Sequence, residues 1–98
     1  VVMGVGHALT ENFIVEKGVP FTDHLARYRM PNITQTPEII SFVVEHPTTD
    51  GPYGAKGVGE IVSIPTIPAI TNAIYNAVGV RIDRLPVDQE EIVKGIGV

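Results

Sequence analysis

Glu60 closes a glycine-rich run, Gly51-Pro52-Tyr53-Gly54-Ala55-Lys56-Gly57-Val58-Gly59-Glu60, and stands directly before the apolar pair Ile61-Val62. A carboxylate placed there has two readings. It can be a solvated or helix-capping group, or a partly desolvated base held where a substrate proton reaches it. The glycines would let backbone N–H groups approach a phosphate closely, but the spacing fits neither common cradle. Lys56 is followed by Gly57-Val58 rather than by serine or threonine, and Gly54, Gly57 and Gly59 run in the reverse order of a dinucleotide fingerprint. A purely structural loop stays open, since glycine and proline are the usual loop residues.

The other chemistry-bearing residues are sparser. His7, His24 and His46 lack metal-ligand spacing, so no metal site is expected within the chain. Ser41 and Ser63 lack the Gly-x-Ser-x-Gly elbow of a nucleophile. With no cysteine, the chain itself offers no disulfide, iron-sulfur ligand or thiol nucleophile, which fits a cytoplasmic protein. A net charge of −4 and the absence of a basic cluster argue against nucleic acid. No apolar stretch approaches the ~18 residues of a membrane span.

These groups need a scaffold, and 98 residues with 44% hydrophobic and 18% charged content suffice for one small core. Residues 1–98 read as one unit. The opening Val1-Val2-Met3-Gly4 lies inside an apolar run, as in a piece of something larger. Val1 to Asn12 carries helical periodicity in Val1, Val2, Val5, Ala8 and Leu9, interrupted by Gly4 and Gly6, for which packing or a ligand would be the reason. Phe13 to Glu16 reads as a short strand and Lys17 to Pro20 as its closing turn. His24 to Met30 is a helical turn or a strand. Glu38 to His46 is the clearest strand, β-branched and aromatic and closed by Pro47. Ile67, Ile70, Ala73, Ile74, Ala77 and Val78 share a helical face, with Pro68 in the first turn and Gly79 as cap. Val80 to Ile82 suggests another short strand, and Asp88 caps a final helix through Lys94. The fold class is therefore α+β, with helices packed on a few short, mainly antiparallel strands.

Four ordered motifs resemble the molybdopterin-binding subunit of the xanthine dehydrogenase and aldehyde oxidoreductase family, the molybdenum hydroxylases. They are Met3-Gly4-Val5-Gly6-His7-Ala8-Leu9-Thr10-Glu11, Tyr28-Arg29-Met30-Pro31, the glycine loop through Glu60, and Ala69 to Tyr75 with Gly79-Val80-Arg81 and Arg84-Leu85-Pro86-Val87. The resemblance is collinear and implies the C-terminal part of the cofactor-binding domain.

It also implies that Glu60 is the catalytic base, and that Met3, Gly4, Gly6, Lys56, Gly57, Val58 and Gly59 line the cofactor. The implied reaction hydroxylates a purine, aldehyde or N-heterocycle carbon with oxygen from water, Glu60 taking the proton. Molybdenum-molybdopterin would be the cofactor of the full enzyme, the cytosine dinucleotide form being one option. Iron-sulfur clusters, and in some members FAD, would sit on other domains or subunits. The implied partners are the remainder of the molybdenum subunit, those iron-sulfur and flavin subunits, and a small-molecule substrate, with a homo-oligomer open. The chain alone would hold no cofactor and be inactive. Met3 departs from the glutamine of many members and puts one polar cofactor contact in doubt. The competing readings are a non-catalytic binding or assembly module on the same scaffold, and a small anion-binding domain.

Overall fold

The computed structural model describes residues 1–97. Three helices and one hairpin follow in the order α1 (Val2–Leu9), β1 (Val15–Glu16), β2 (Val19–Pro20), α2 (Thr66–Val78) and α3 (Gln89–Ile96). A single 3-10 turn, Pro52–Gly54, lies in the long connection before α2.

Helix α1 has only eight residues and no side-chain N-cap, too little for stability by propensity alone. Packing holds it instead. Its buried residues are Gly4, Gly6 and Ala8, so its inward face is made of the smallest side chains available. Helix α2 packs across that face. A Cβ added at Gly4 would stand 2.7 Å from Cβ and 2.9 Å from Cγ2 of Thr66. Gly4→Ala therefore sets two effects against each other: about 1 kcal/mol of helix propensity gained and about 1–3 kcal/mol of overpacking lost. The atom it meets first is anchored on a helix backbone, so overpacking wins. Thermal unfolding of the two proteins side by side should show a lower midpoint for the variant, and an unchanged or raised midpoint would mean that α2 shifts freely.

Helix α2 follows the expected limits, with Gly79 in the left-handed conformation at φ 74° returning its N–H to the Tyr75 carbonyl. Ile67, Ile70 and Ile74 are half-buried, while Ala73, Ala77 and Val78 of the same face stay exposed. Beyond the cap, the Arg81 guanidinium lies 3.7 Å from the Tyr75 ring centre and donates to Asn72 Oδ1 at 3.2 Å, pinning the exit of the helix. The Val87 N–H then donates to the Ala8 carbonyl at 2.7 Å, tying this return segment to the end of α1. Asp88 caps α3 by accepting from the Glu90 N–H at 2.9 Å, with Glu90 and Glu91 in the first turn and Lys94 in the last.

The α+β class holds, but its strand content is one hairpin. Val19–Pro20, expected to belong to the turn, form β2 and pair antiparallel with β1; the turn is Lys17-Gly18 alone. Both of those residues have positive φ, 50° and 82°, as a two-residue hairpin turn of right-handed twist requires. His24 to Tyr28 makes a single helical turn, with the Arg27 and Tyr28 N–H groups both donating to the His24 carbonyl. Glu38 to His46 and Val80 to Ile82, both expected as strands, pair with nothing among the described residues. Their residue types suit a sheet, but a strand exists only through its partner. Propensity named a segment ready to pair and said nothing of where the partner lies.

Candidate functional site

The chain between Pro47 and Thr66 is shaped by its first two glycines. A Cβ at Gly51 would collide with the Ala55 carbonyl oxygen, and one at Gly54 would stand 2.7 Å from the Pro47 Cβ. Gly54 also has φ 76° and follows Tyr53 at φ 55°, a left-handed pair that turns the chain back on itself. The Gly54 carbonyl accepts from the Thr48 N–H at 3.2 Å, and the Thr48 hydroxyl accepts from the Gly51 N–H at 3.1 Å. These contacts close the loop and bring it against residues 44–47.

Gly57 and Gly59 are different. A Cβ at either would meet no atom within 4 Å, and neither has a positive φ. Neither crowding within the chain nor backbone conformation calls for glycine there. The backbone N–H groups of Lys56, Gly57, Val58 and Gly59 donate to no acceptor among the described residues. The stretch thus has four N–H groups without a partner among the described residues, the first of them on Lys56, donors of the kind an oxygen-rich anionic group uses. An open groove of about 480 Å³ runs along it, lined by Val44, Glu45, His46, Tyr53, Lys56 and Val58 among others, so that one carboxylate, Glu45, faces it together with Lys56.

Glu60 lies at the far end of this stretch and is exposed. Its carbonyl accepts from the Ser63 N–H at 3.0 Å, but its carboxylate takes part in no hydrogen bond or ion pair among the described residues. The capping reading is excluded: α2 starts after Pro65, without a side-chain cap. Five residues separate Glu60 from Thr66, the residue of α2 on which Gly4 of α1 packs.

The cofactor-facing residues expected from sequence fall into three groups. Lys56, Gly57 and Val58 share the groove, with Gly59 next in line. Gly4 and Gly6 are buried in packing, Gly4 on Thr66 and Gly6 beneath the Glu11 carboxylate and the Pro31 ring. Met3 is 63% exposed on the open face of α1. Sequence reasoning passed over Glu11, whose side chain the fold covers and which Tyr28 reaches from 17 residues away. Its signal was its place at the end of the first motif, with Tyr28 opening the second, although nothing in the spacing joins the two. Among the described residues no group of three His, Asp or Glu side chains could hold a metal ion, and no helix is long and apolar enough to cross a membrane.

No protein-family model matches the chain. Curated relatives do. It is 43% identical over 95 residues to the 6-hydroxypseudooxynicotine dehydrogenase complex subunit gamma of Paenarthrobacter nicotinovorans, covering 93% of this chain and 12% of the relative. It is 40% identical over 94 residues to an aldehyde oxidoreductase of Megalodesulfovibrio gigas, covering 95% and 10%. It is 37% identical over 92 residues to a putative xanthine dehydrogenase molybdenum-binding subunit of Escherichia coli (strain K12), covering 92% and 12%. The chain thus spans about a tenth of the length of these relatives. Their names divide over cofactor: several say molybdenum-binding, and one membrane-bound aldehyde dehydrogenase carries pyrroloquinoline quinone.

Proposed function

This chain is homologous to a segment of the xanthine dehydrogenase and aldehyde oxidoreductase molybdenum-binding subunits, and from that premise we propose that it forms part of a molybdenum hydroxylase, contributing the base Glu60 and one wall of the cofactor site. The observation that carries the reading is the stretch Lys56 to Gly59. Its glycines answer no demand within the chain, and its N–H groups are free. Close approach by an anionic group from outside accounts for both. A pterin cofactor with its phosphate, held along Lys56-Gly57-Val58-Gly59, would have that chemistry, with Met3 of α1 as a further contact of the same wall in the complete protein.

When bound, the molybdenum cofactor supplies the two-electron redox chemistry and the water-derived oxygen. The chain's own part is to position and to move a proton. Lys56 and the unpartnered N–H groups of residues 56–59 would hold the cofactor's oxygens, and Gly57 and Gly59 would let it come close. Glu60, next after that stretch, would take the proton of the water-derived hydroxyl, while the hydrogen and two electrons leaving the substrate carbon would pass to the bound cofactor. Among the described residues no other group pairs with its carboxylate. Its desolvation comes from cofactor, substrate and the rest of the assembly, since the chain leaves it in water. Purines, aldehydes and N-heterocycles are the substrate classes of this reading, and iron-sulfur and flavin components are the electron path.

Metal analysis of the complete protein as purified from its host tests the reading. Near-stoichiometric molybdenum with an organic pterin is the expected result. Pyrroloquinoline quinone without molybdenum, or neither group, would sink it and leave a binding or assembly module on the same scaffold.

A further inference from the structure

Glu60 is exposed, whereas Glu11 is a carboxylate that the chain itself shelters, its side chain only 7% exposed. It lies two residues beyond α1 and folds back over the helix's last turn, its N–H donating to the Gly6 carbonyl at 2.8 Å. Its Oε2 accepts from the Tyr28 hydroxyl at 2.7 Å and lies 3.5 Å from Nε2 of His7. Hydrogen bonding to that carboxylate holds the Tyr28 hydroxyl above its ordinary pKa, so the donor proton stays in place through the physiological range. Gly6 makes the arrangement possible. A Cβ there would collide with Glu11 Oε1 and stand 2.7 Å from the Pro31 Cδ.

Helix α1 is therefore fixed at two ends, by Gly4 on Thr66 and by Glu11 with Tyr28 and Pro31 over Gly6. Met3, directly before Gly4, is exposed on the helix these contacts hold. We infer that Glu11 and Tyr28 are a positioning pair that sets the orientation of α1, and through it the face presented to the cofactor. The cofactor half of this inference rests on the proposed function; the clasp on α1 does not.

The test uses the complete protein with Tyr28→Phe, Glu11→Ala and Glu11→Gln. Two readouts are taken: amide exchange within Val2–Leu9, and molybdenum retained after dialysis. Removing a hydrogen bond to a carboxylate should speed α1 exchange on the order of tenfold in Tyr28→Phe and Glu11→Ala, with molybdenum lost in parallel. Glu11→Gln keeps an acceptor oxygen for the Tyr28 hydroxyl and should restore both readouts to near wild type. Unchanged α1 exchange in Tyr28→Phe would overturn the clasp, as would a Glu11→Gln variant as damaged as Glu11→Ala. Faster exchange with molybdenum fully retained would overturn its role toward the cofactor. Faster exchange in a protein whose wild type holds no molybdenum would uphold the clasp and refute the proposed function instead.

Discussion

On the proposed function, Glu60→Gln in the complete protein is expected to lower the turnover number for hydroxylation about 10²–10⁴-fold, the usual contribution of a positioned general base, with molybdenum content and thermal stability staying at wild-type values. The separation of the two effects follows from the surroundings of Glu60. Its carboxylate bonds to nothing among the described residues and caps no helix. Glutamine is isosteric, and an exposed substitution of this kind changes stability by about 0.5 kcal/mol or less. Steady-state kinetics with metal analysis on the same preparation decides the matter. Near-normal turnover would remove Glu60 from the chemistry. A loss of activity matched by a loss of molybdenum would make it a cofactor-holding residue instead. Lys56→Ala provides the contrast, since its place beside the free N–H row predicts weaker cofactor retention before any loss of turnover per bound molybdenum.

Helix caps were legible in the sequence because their interactions are local, although the equally local hairpin was misread at Val19–Pro20. Gly79 after the Ile67 to Val78 periodicity and Asp88 before Gln89 each needed only neighbouring residues to take effect, and both helices formed with these caps, α2 starting one residue earlier at Thr66 and α3 running past the expected Lys94 to Ile96. The motif positions Lys56 to Gly59 could be recognised, but not what distinguishes them from Gly51 and Gly54. That distinction depends on whether another atom fills the space where a side chain would be. Gly4 and Gly6 show the same limit from the other side. Interruption of a helix signalled a close approach, and only the fold says that Thr66, Glu11 and Pro31 make it. Non-local pairing was the least legible: Glu11 with Tyr28 has no signature in spacing, and Glu38 to His46 has strand chemistry without a partner.

That unpaired segment leads to the second large effect. The chain exposes 8156 Å², whereas a compact monomer of its mass exposes about 5,500 Å². Its radius of gyration is 17.4 Å, against about 13 Å for a compact domain of this length. The excess of roughly 2,600 Å² is about three times what one partner buries in a standard interface. Much of it is apolar: Phe42, Val43 and Val44 are 87%, 88% and 89% exposed, and Ile40 is exposed with them. Because consecutive residues of an extended segment point to opposite sides, both faces of this stretch are apolar, the pattern of a strand covered on both faces. Expressed alone, the chain should bind a hydrophobic dye such as ANS and lack a sharp thermal transition. The same physics predicts opposite signs for Phe42→Asp in two settings. In the isolated chain the charge interrupts an aggregation-prone run and raises solubility. In the complete protein it places an unpaired carboxylate where a partner surface must close, at a cost of several kcal/mol, and soluble yield falls. An isolated chain that unfolds cooperatively, with a scattering radius near 13 Å, would show instead that these apolar residues close on one another.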